Sequence, residues 1–170
     1  MSVVVIGLGN TDRADDAVGT LVVRRLRGRL PPEVPLVEWR ADPTGILNLD
    51  AWRDAMLAII VDATSSGARP GTLHRIEVGR DTVPRELGSA STHALGLADT
   101  LALASAVDRL PPRVVIVGIE AGRFATGGPP DPAVRSAVEH AADLIIEEVR
   151  HGGPTTRART APGVHGPGRR

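Results

Sequence analysis

The chain has 170 residues, 42% hydrophobic and 24% charged, a composition that fits a single globular domain and excludes disordered and collagen-like chains. It contains no cysteine, which removes disulfides, thiolate-bound zinc and a cysteine nucleophile together, so any catalysis must use oxygen and imidazole groups. All twenty basic residues are arginine; sixteen of them face twenty acids in residues 1–150, a net −4, while residues 151–170 carry four arginines and no acid. An acidic body argues against a broad nucleic-acid-binding face, because phosphate affinity needs clustered positive charge. The local group Arg24, Arg25, Arg27 and Arg29 reads as the solvated face of a helix.

Strand and helix signals alternate along the chain. Val3–Ile6 is a short β-branched run ended by Gly7 and Gly9, and reads as a strand buried on both faces. Residues 17–29 carry Val18, Leu21, Val22 and Leu26 at helical spacing and stop at Pro31-Pro32. Pro35–Trp39 reads as a second strand, Thr44–Leu47 opens a short helical stretch, and Leu57–Val61 is a third, wholly apolar strand ending at Asp62. Residues 72–78 alternate less regularly and read as a more exposed edge strand.

Ser91 or Thr92 caps a helix carrying Ala94, Leu97, Leu101, Ala104 and Val107, which places His93 in its first turn. Val114–Ile119 is a last buried strand. The final helix starts at Asp131-Pro132, an N-cap followed by proline at N1, and runs through Val134, Val138, Ala141, Ile145 and Val149. Residues 151–170 hold five glycines, three prolines and almost nothing apolar, and are expected to form a disordered basic tail beyond a domain at 1–150. No targeting segment and no apolar run of about 18 residues is visible, so a soluble, cytoplasmic protein is expected, with no membrane and no nucleic-acid partner. Nothing in the pattern demands self-association, and a monomer is the expectation.

This alternation implies an α/β fold: an open, mostly parallel twisted sheet with helices on both faces, a three-layer αβα sandwich of the phosphorylase/hydrolase-like kind. In such sheets ligands bind outside the carboxyl ends of the strands. Gly7-Leu8-Gly9 follows the first strand, but the third glycine of a dinucleotide fingerprint falls at Asp12, whose carboxylate repels a pyrophosphate. The adjacent Asp15-Asp16 pair opens the next helix; one acid suffices to cap it, leaving one over. Asp62 reads either as a turn residue or as a functional acid at the strand end, and His93 either as a satisfied histidine or as a ligand.

Together Asp16, Asp62 and His93 are expected on one edge of one sheet. Two carboxylates and an imidazole form an open ligand set for a borderline divalent ion such as nickel or zinc, and they also match the base and polarising group that peptide hydrolysis needs. There is no H-E-x-x-H and no G-x-S-x-G. Asp42 follows the second strand, either as an accessory acid or as a cap for the Thr44 helix.

Three blocks carry a family resemblance: Gly7-x-Gly9-Asn10-x-x-x-x-Asp15-Asp16-x-x-Gly19, Val61-Asp62-Ala63, and Thr92-His93-Ala94-Leu95-Gly96-Leu97. In that order and approximate spacing they resemble the maturation endopeptidases of nickel-iron hydrogenases, over residues 3 to about 120. The resemblance implies an aspartic-type endopeptidase that removes a short C-terminal extension from the hydrogenase large-subunit precursor after nickel insertion. It implies Asp16, Asp62 and His93 as both metal contacts and catalytic groups, the nickel being carried by the precursor, with no tightly bound cofactor of the enzyme's own. Asp16 stands where the family has Glu or Asp, and Ala17 replaces a frequent glycine.

Two other readings compete. A non-catalytic nickel-site chaperone of the same precursor would use the same three residues. The opening Gly7-Leu8-Gly9-Asn10 also resembles peptidyl-tRNA hydrolase, but that family continues with Pro-Gly and an Arg-His-Asn block, whereas here Thr11-Asp12 follows and no histidine precedes His74.

Overall fold

A computed structural model describes residues 1–9, 15–79, 94–122 and 130–151, with backbone only for Asp16, Ala94 and Leu95. The five strands are β1 (Val3–Leu8), β2 (Leu36–Trp39), β3 (Leu57–Thr64), β4 (Leu73–Val78) and β5 (Arg113–Glu120). They form one sheet in the order β2-β1-β3-β5-β4, parallel throughout except for β4, which pairs antiparallel with β5 at the edge. The helices are α1 (Val18–Leu26), α2 (Asp50–Arg53), α3 (Ala94–Ala106) and α4 (Pro132–His151), with short 3-10 segments at Asp15–Ala17 and Pro43–Asn48.

Two apolar layers sandwich the sheet, because side chains alternate along a strand. On one face Val3, Val5, Ile59, Val61, Val115, Val117 and their neighbours pack beneath α1 and α4. On the other, Val4, Ile6, Leu8, Ala58, Ile60, Val114 and Ile116 pack beneath α3, α2 and the Pro43–Asn48 segment. Each fully buried Ile or Val contributes about 1.5–3 kcal/mol relative to exposure. Trp52, fully buried in the second layer, donates its indole N–H to the Arg109 carbonyl at 2.9 Å. The expected three-layer α/β sandwich is therefore the observed one.

Several boundaries differ from the sequence reading. Gly7 lies inside β1, not after it. A Cβ on Gly7 would overlap the Gly19 carbonyl, and a Cβ on Gly19 would overlap the Leu8 carbonyl and press on that of Val61, so the two glycines let α1 start directly on the strands. β3 runs three residues past Val61: Asp62, Ala63 and Thr64 pair with Gly118, Ile119 and Glu120 of β5, which makes Asp62 a strand residue and not a turn residue. Helix α1 ends at Leu26, because Arg27 leaves helical geometry and Gly28 takes a positive φ of 75°.

The arginine group on and after α1 is exposed but paired. Arg24 and Arg27 bind Glu38, while Arg25 and Arg29 reach Glu139 on α4 and Arg29 also holds Asp143 at 2.5 Å. These arginines clip α1 to β2 and α4. The expected tail at 152–170 lies outside the described residues. Among the described residues, no helix is long and apolar enough to cross a membrane.

Candidate active site

From β1 the chain crosses to β2 on one side of the sheet, whereas β3 leads toward β5 and β4 on the other. The reversal of winding marks a topological switch point at the carboxyl ends of β1 and β3, where open α/β sheets form the crevice that binds ligands. Asp62 stands there, on the second-to-last pairing rung but one of β3, and only 3% of it is exposed. Its Oδ1 accepts the Ala63 backbone N–H at 2.8 Å. Alternation along β3 puts Asp62 on the face of Ala58 and Ile60, the face that α3 covers. Helix α3 begins at Ala94, the residue after His93. His93 itself, with the Ser91 or Thr92 cap, lies outside the described residues.

Asp16 occupies the middle of the 3-10 segment Asp15–Ala17, between the end of β1 and the start of α1. The close approach of Gly19 to Leu8 and Val61 seats this segment over the crevice. The N-cap of α1 is Ala17, the residue after the acid pair, and it makes no side-chain capping bond. Asp15 is instead fully buried, and accepts the backbone N–H of Gly122 at 2.8 Å on Oδ2 and that of Asp131 at 3.0 Å on Oδ1. Asp42 does cap the Pro43–Asn48 segment, accepting from the Thr44 N–H at 2.8 Å and from its hydroxyl.

A third buried carboxylate closes the same edge. Glu120, 2% exposed at the end of β5, accepts the N–H groups of Ser66 at 2.7 Å and Gly67 at 3.0 Å, the hydroxyls of Ser66 and Thr64, and lies 3.1 Å from His74 Nε2. Burial by itself pushes its carboxyl up, but the bonds from Ser66, Thr64 and His74 outweigh that and hold it below the ordinary carboxylate value. Glu120 thereby anchors the turn that follows β3. The sequence reading missed it by ending the last strand at Ile119, although the signal used for Asp62, an acid closing an apolar strand, applies equally. Among the described residues no three His, Asp or Glu side chains gather into a metal-holding group; of the three expected contacts, His93 and the Asp16 side chain are not among those residues.

The family resemblance read from the sequence and the α/β sheet agree with comparisons to known proteins. A family model described as hydrogenase maturation protease matches residues 41–148. The chain belongs to the hydrogenase maturation protease family. The hydrogenase expression/formation protein HoxM of Cupriavidus necator is 31% identical over 164 residues, covering 94% of this chain and 79% of that protein. The hydrogenase 2 maturation protease of Escherichia coli is 28% identical, over 95% and 98% of the two chains. In three dimensions the hydrogenase maturating endopeptidase HybD from E. coli matches with a TM-score of 0.78 at 26% identity, covering 90% of this chain and 94% of that one. The [NiFe] hydrogenase maturation protease HycI from Thermococcus kodakarensis KOD1 matches with a TM-score of 0.69 at 27% identity, covering 87% and 92%. Membership of the hydrogenase maturation protease family makes the chain a peptidase, and Asp62 and His93 both fall within the matched stretch.

Proposed function

We propose that this hydrogenase maturation protease removes the C-terminal extension of a nickel-iron hydrogenase large-subunit precursor once nickel has been inserted, using that nickel as its recognition tag. The observation that carries this reading is the buried Asp62 at the carboxyl end of β3, in the switch-point crevice and on the face where α3 begins just after His93. Asp16, on the segment seated over the same crevice, supplies the second carboxylate. The nickel belongs to the substrate. Because this chain has no cysteine, thiolates around the ion come from the precursor, and the protease contributes oxygen and imidazole contacts.

Docking of the nickel against Asp16, Asp62 and His93 holds the scissile peptide in register. Water then adds to its carbonyl carbon, the C–N bond breaks, and the proton given up by the water passes through one of these three groups to the departing amine. The resemblance to the family supports an aspartic-type peptidase, with Asp16 and Asp62 as its two carboxylates. The enzyme works as a cytoplasmic monomer that meets its substrate transiently.

The test is a mass measurement of purified precursor, with and without nickel, after incubation with the protein. Loss of a C-terminal fragment from the nickel-loaded form alone is expected. Complex formation with unchanged mass would make the protein a chaperone and overturn the reading. Asp16→Asn or His93→Gln protein that cleaves the loaded precursor at the normal rate would remove those residues from the site.

A further inference from the structure

We infer that Asp15 is a positioning residue, which fixes Asp16 by tying its 3-10 segment to both ends of the β5–α4 connection. The inference rests on the proposed role of Asp16 and extends it to a neighbour that touches neither substrate nor metal.

A fully buried carboxylate is costly unless donors surround it, and Asp15 is such a group. Its two oxygens take different partners. Oδ2 accepts from Gly122, two residues past the end of β5, and Oδ1 accepts from Asp131, the residue before α4. Nine residues of extended chain span about 30 Å. Here the chain leaves from and returns to one carboxylate.

The return point is stiff. Asp131 caps α4 through a 2.8 Å bond from the Ala133 N–H to its own Oδ1, and α4 is a twenty-residue helix packed against α1 in one apolar layer. On the other side of Asp16, only three residues away, Gly19 is wedged against the Leu8 and Val61 carbonyls. Asp16 therefore sits between two anchors: a polar one at Asp15 and a close-packed one at Gly19. Without the polar anchor, the segment loses its tie to the β5–α4 connection and keeps the close-packed one at Gly19. This accounts for the doubled acid, since each aspartate has its own task.

Asp15→Asn tests the tie with little change in volume. An amide has one acceptor oxygen and one NH2 group, so in either orientation it turns a donor toward one of the two backbone N–H groups. Hydrogen exchange at Gly122 or Asp131, and at Asp16 and Ala17, should quicken while that of Ile59 and Ile60 in β3 stays unchanged. At a temperature where the variant is folded, kcat on nickel-loaded precursor should fall about tenfold or more with KM within about twofold, as expected for misplacement of a reacting group. The exposed Asp143→Asn serves as the charge-matched control. Quickened exchange with wild-type kcat would leave Asp15 purely structural and overturn the inference, as would unchanged exchange.

If Asp15→Asn does not fold, Asp15→Glu keeps both acceptor oxygens on an arm longer by one methylene. Protected amides with a lowered kcat support positioning, and protected amides with wild-type kcat overturn it. Should the wild-type protein fail to cleave the precursor at all, the protease reading falls by itself. Placement of Asp16 is then read from the broadening of the Asp16 and Ala17 amide signals by Ni2+ alone. A half-saturating Ni2+ concentration raised about fivefold or more by Asp15→Asn supports the tie, and an unchanged one overturns it.

Discussion

Toward α1 and α4, the central strands present aliphatic side chains to their very ends, from Leu57 to Ala63 in β3 and from Val115 to Ile119 in β5. Toward α3 the same strands begin alike, with Ala58, Ile60, Val114 and Ile116, and then change: Asp62 and Thr64 end β3, and Gly118 and Glu120 end β5. Both faces bury these residues almost completely. The difference teaches where stability and chemistry are separated in this sheet. One face is apolar to the rim and stabilises the fold, while the other gives up its last two rungs to carboxylates and their hydrogen-bond donors.

The contrast can be broken at several points. The largest effect is expected from Gly19→Val, which forces a branched side chain into the Leu8 and Val61 carbonyls; a loss of about 3 kcal/mol or more, seen as failure to accumulate folded protein, is the expected outcome. Next, Ile59→Ala and Ile60→Ala remove equally buried side chains from opposite faces. Each should cost about 2–5 kcal/mol in urea unfolding, and a clear inequality would show that one layer is less tightly packed.

Asp62→Asn should reverse the balance, lowering cleavage of loaded precursor about a hundredfold, or about 2.7 kcal/mol of barrier, with a smaller change in unfolding free energy. Glu120→Gln should cost about 1–3 kcal/mol at neutral pH, since donors now facing an amide lose their acceptor. Glu120 also carries a pH signature. Its folded carboxyl lies below the ordinary value of 4.5, so the unfolded chain takes up the proton first; its stabilisation is complete above that value and is lost as pH falls through the folded one. The Gln variant should therefore lose less stability than wild type between neutral and acid pH. Arg29→Ala, which removes a half-exposed pair with Asp143 and Glu139, should cost less than about 1 kcal/mol.

The sheet was legible because its strands are short β-branched runs separated by clear helical periodicity. Asp62 stood out as an acid closing an apolar run. What local pattern could not show is pairing across the chain. Nothing near Thr64 announces that β3 continues beside Glu120, and the partners of Asp15 lie 107 and 116 residues away. A doubled acid before a helix looks like capping until those distant amides are placed. Helix α2 escaped for a simpler reason: four residues, Asp50–Arg53, are too few to show a period. The glycine spacing was recognised as a motif, but its cause is the contact of α1 with β1 and β3, which only the packed structure shows.

The strand order has a consequence for how the chain is made. β2 and β3 flank β1, and all three come from the first 64 residues, so that half of the sheet can pair as soon as it is synthesised. β4 comes next but pairs only with β5, which lies between it and β3 and is not made until residue 120. A nascent chain of about 110 residues therefore carries an open β3 edge and an unpartnered β4, with Asp62 at the exposed border, a state in which strand edges are prone to wrong pairing. Insertion of β5 closes that border and completes the strand pairing of Asp62 in one event, so the edge that carries Asp62 is assembled late in synthesis.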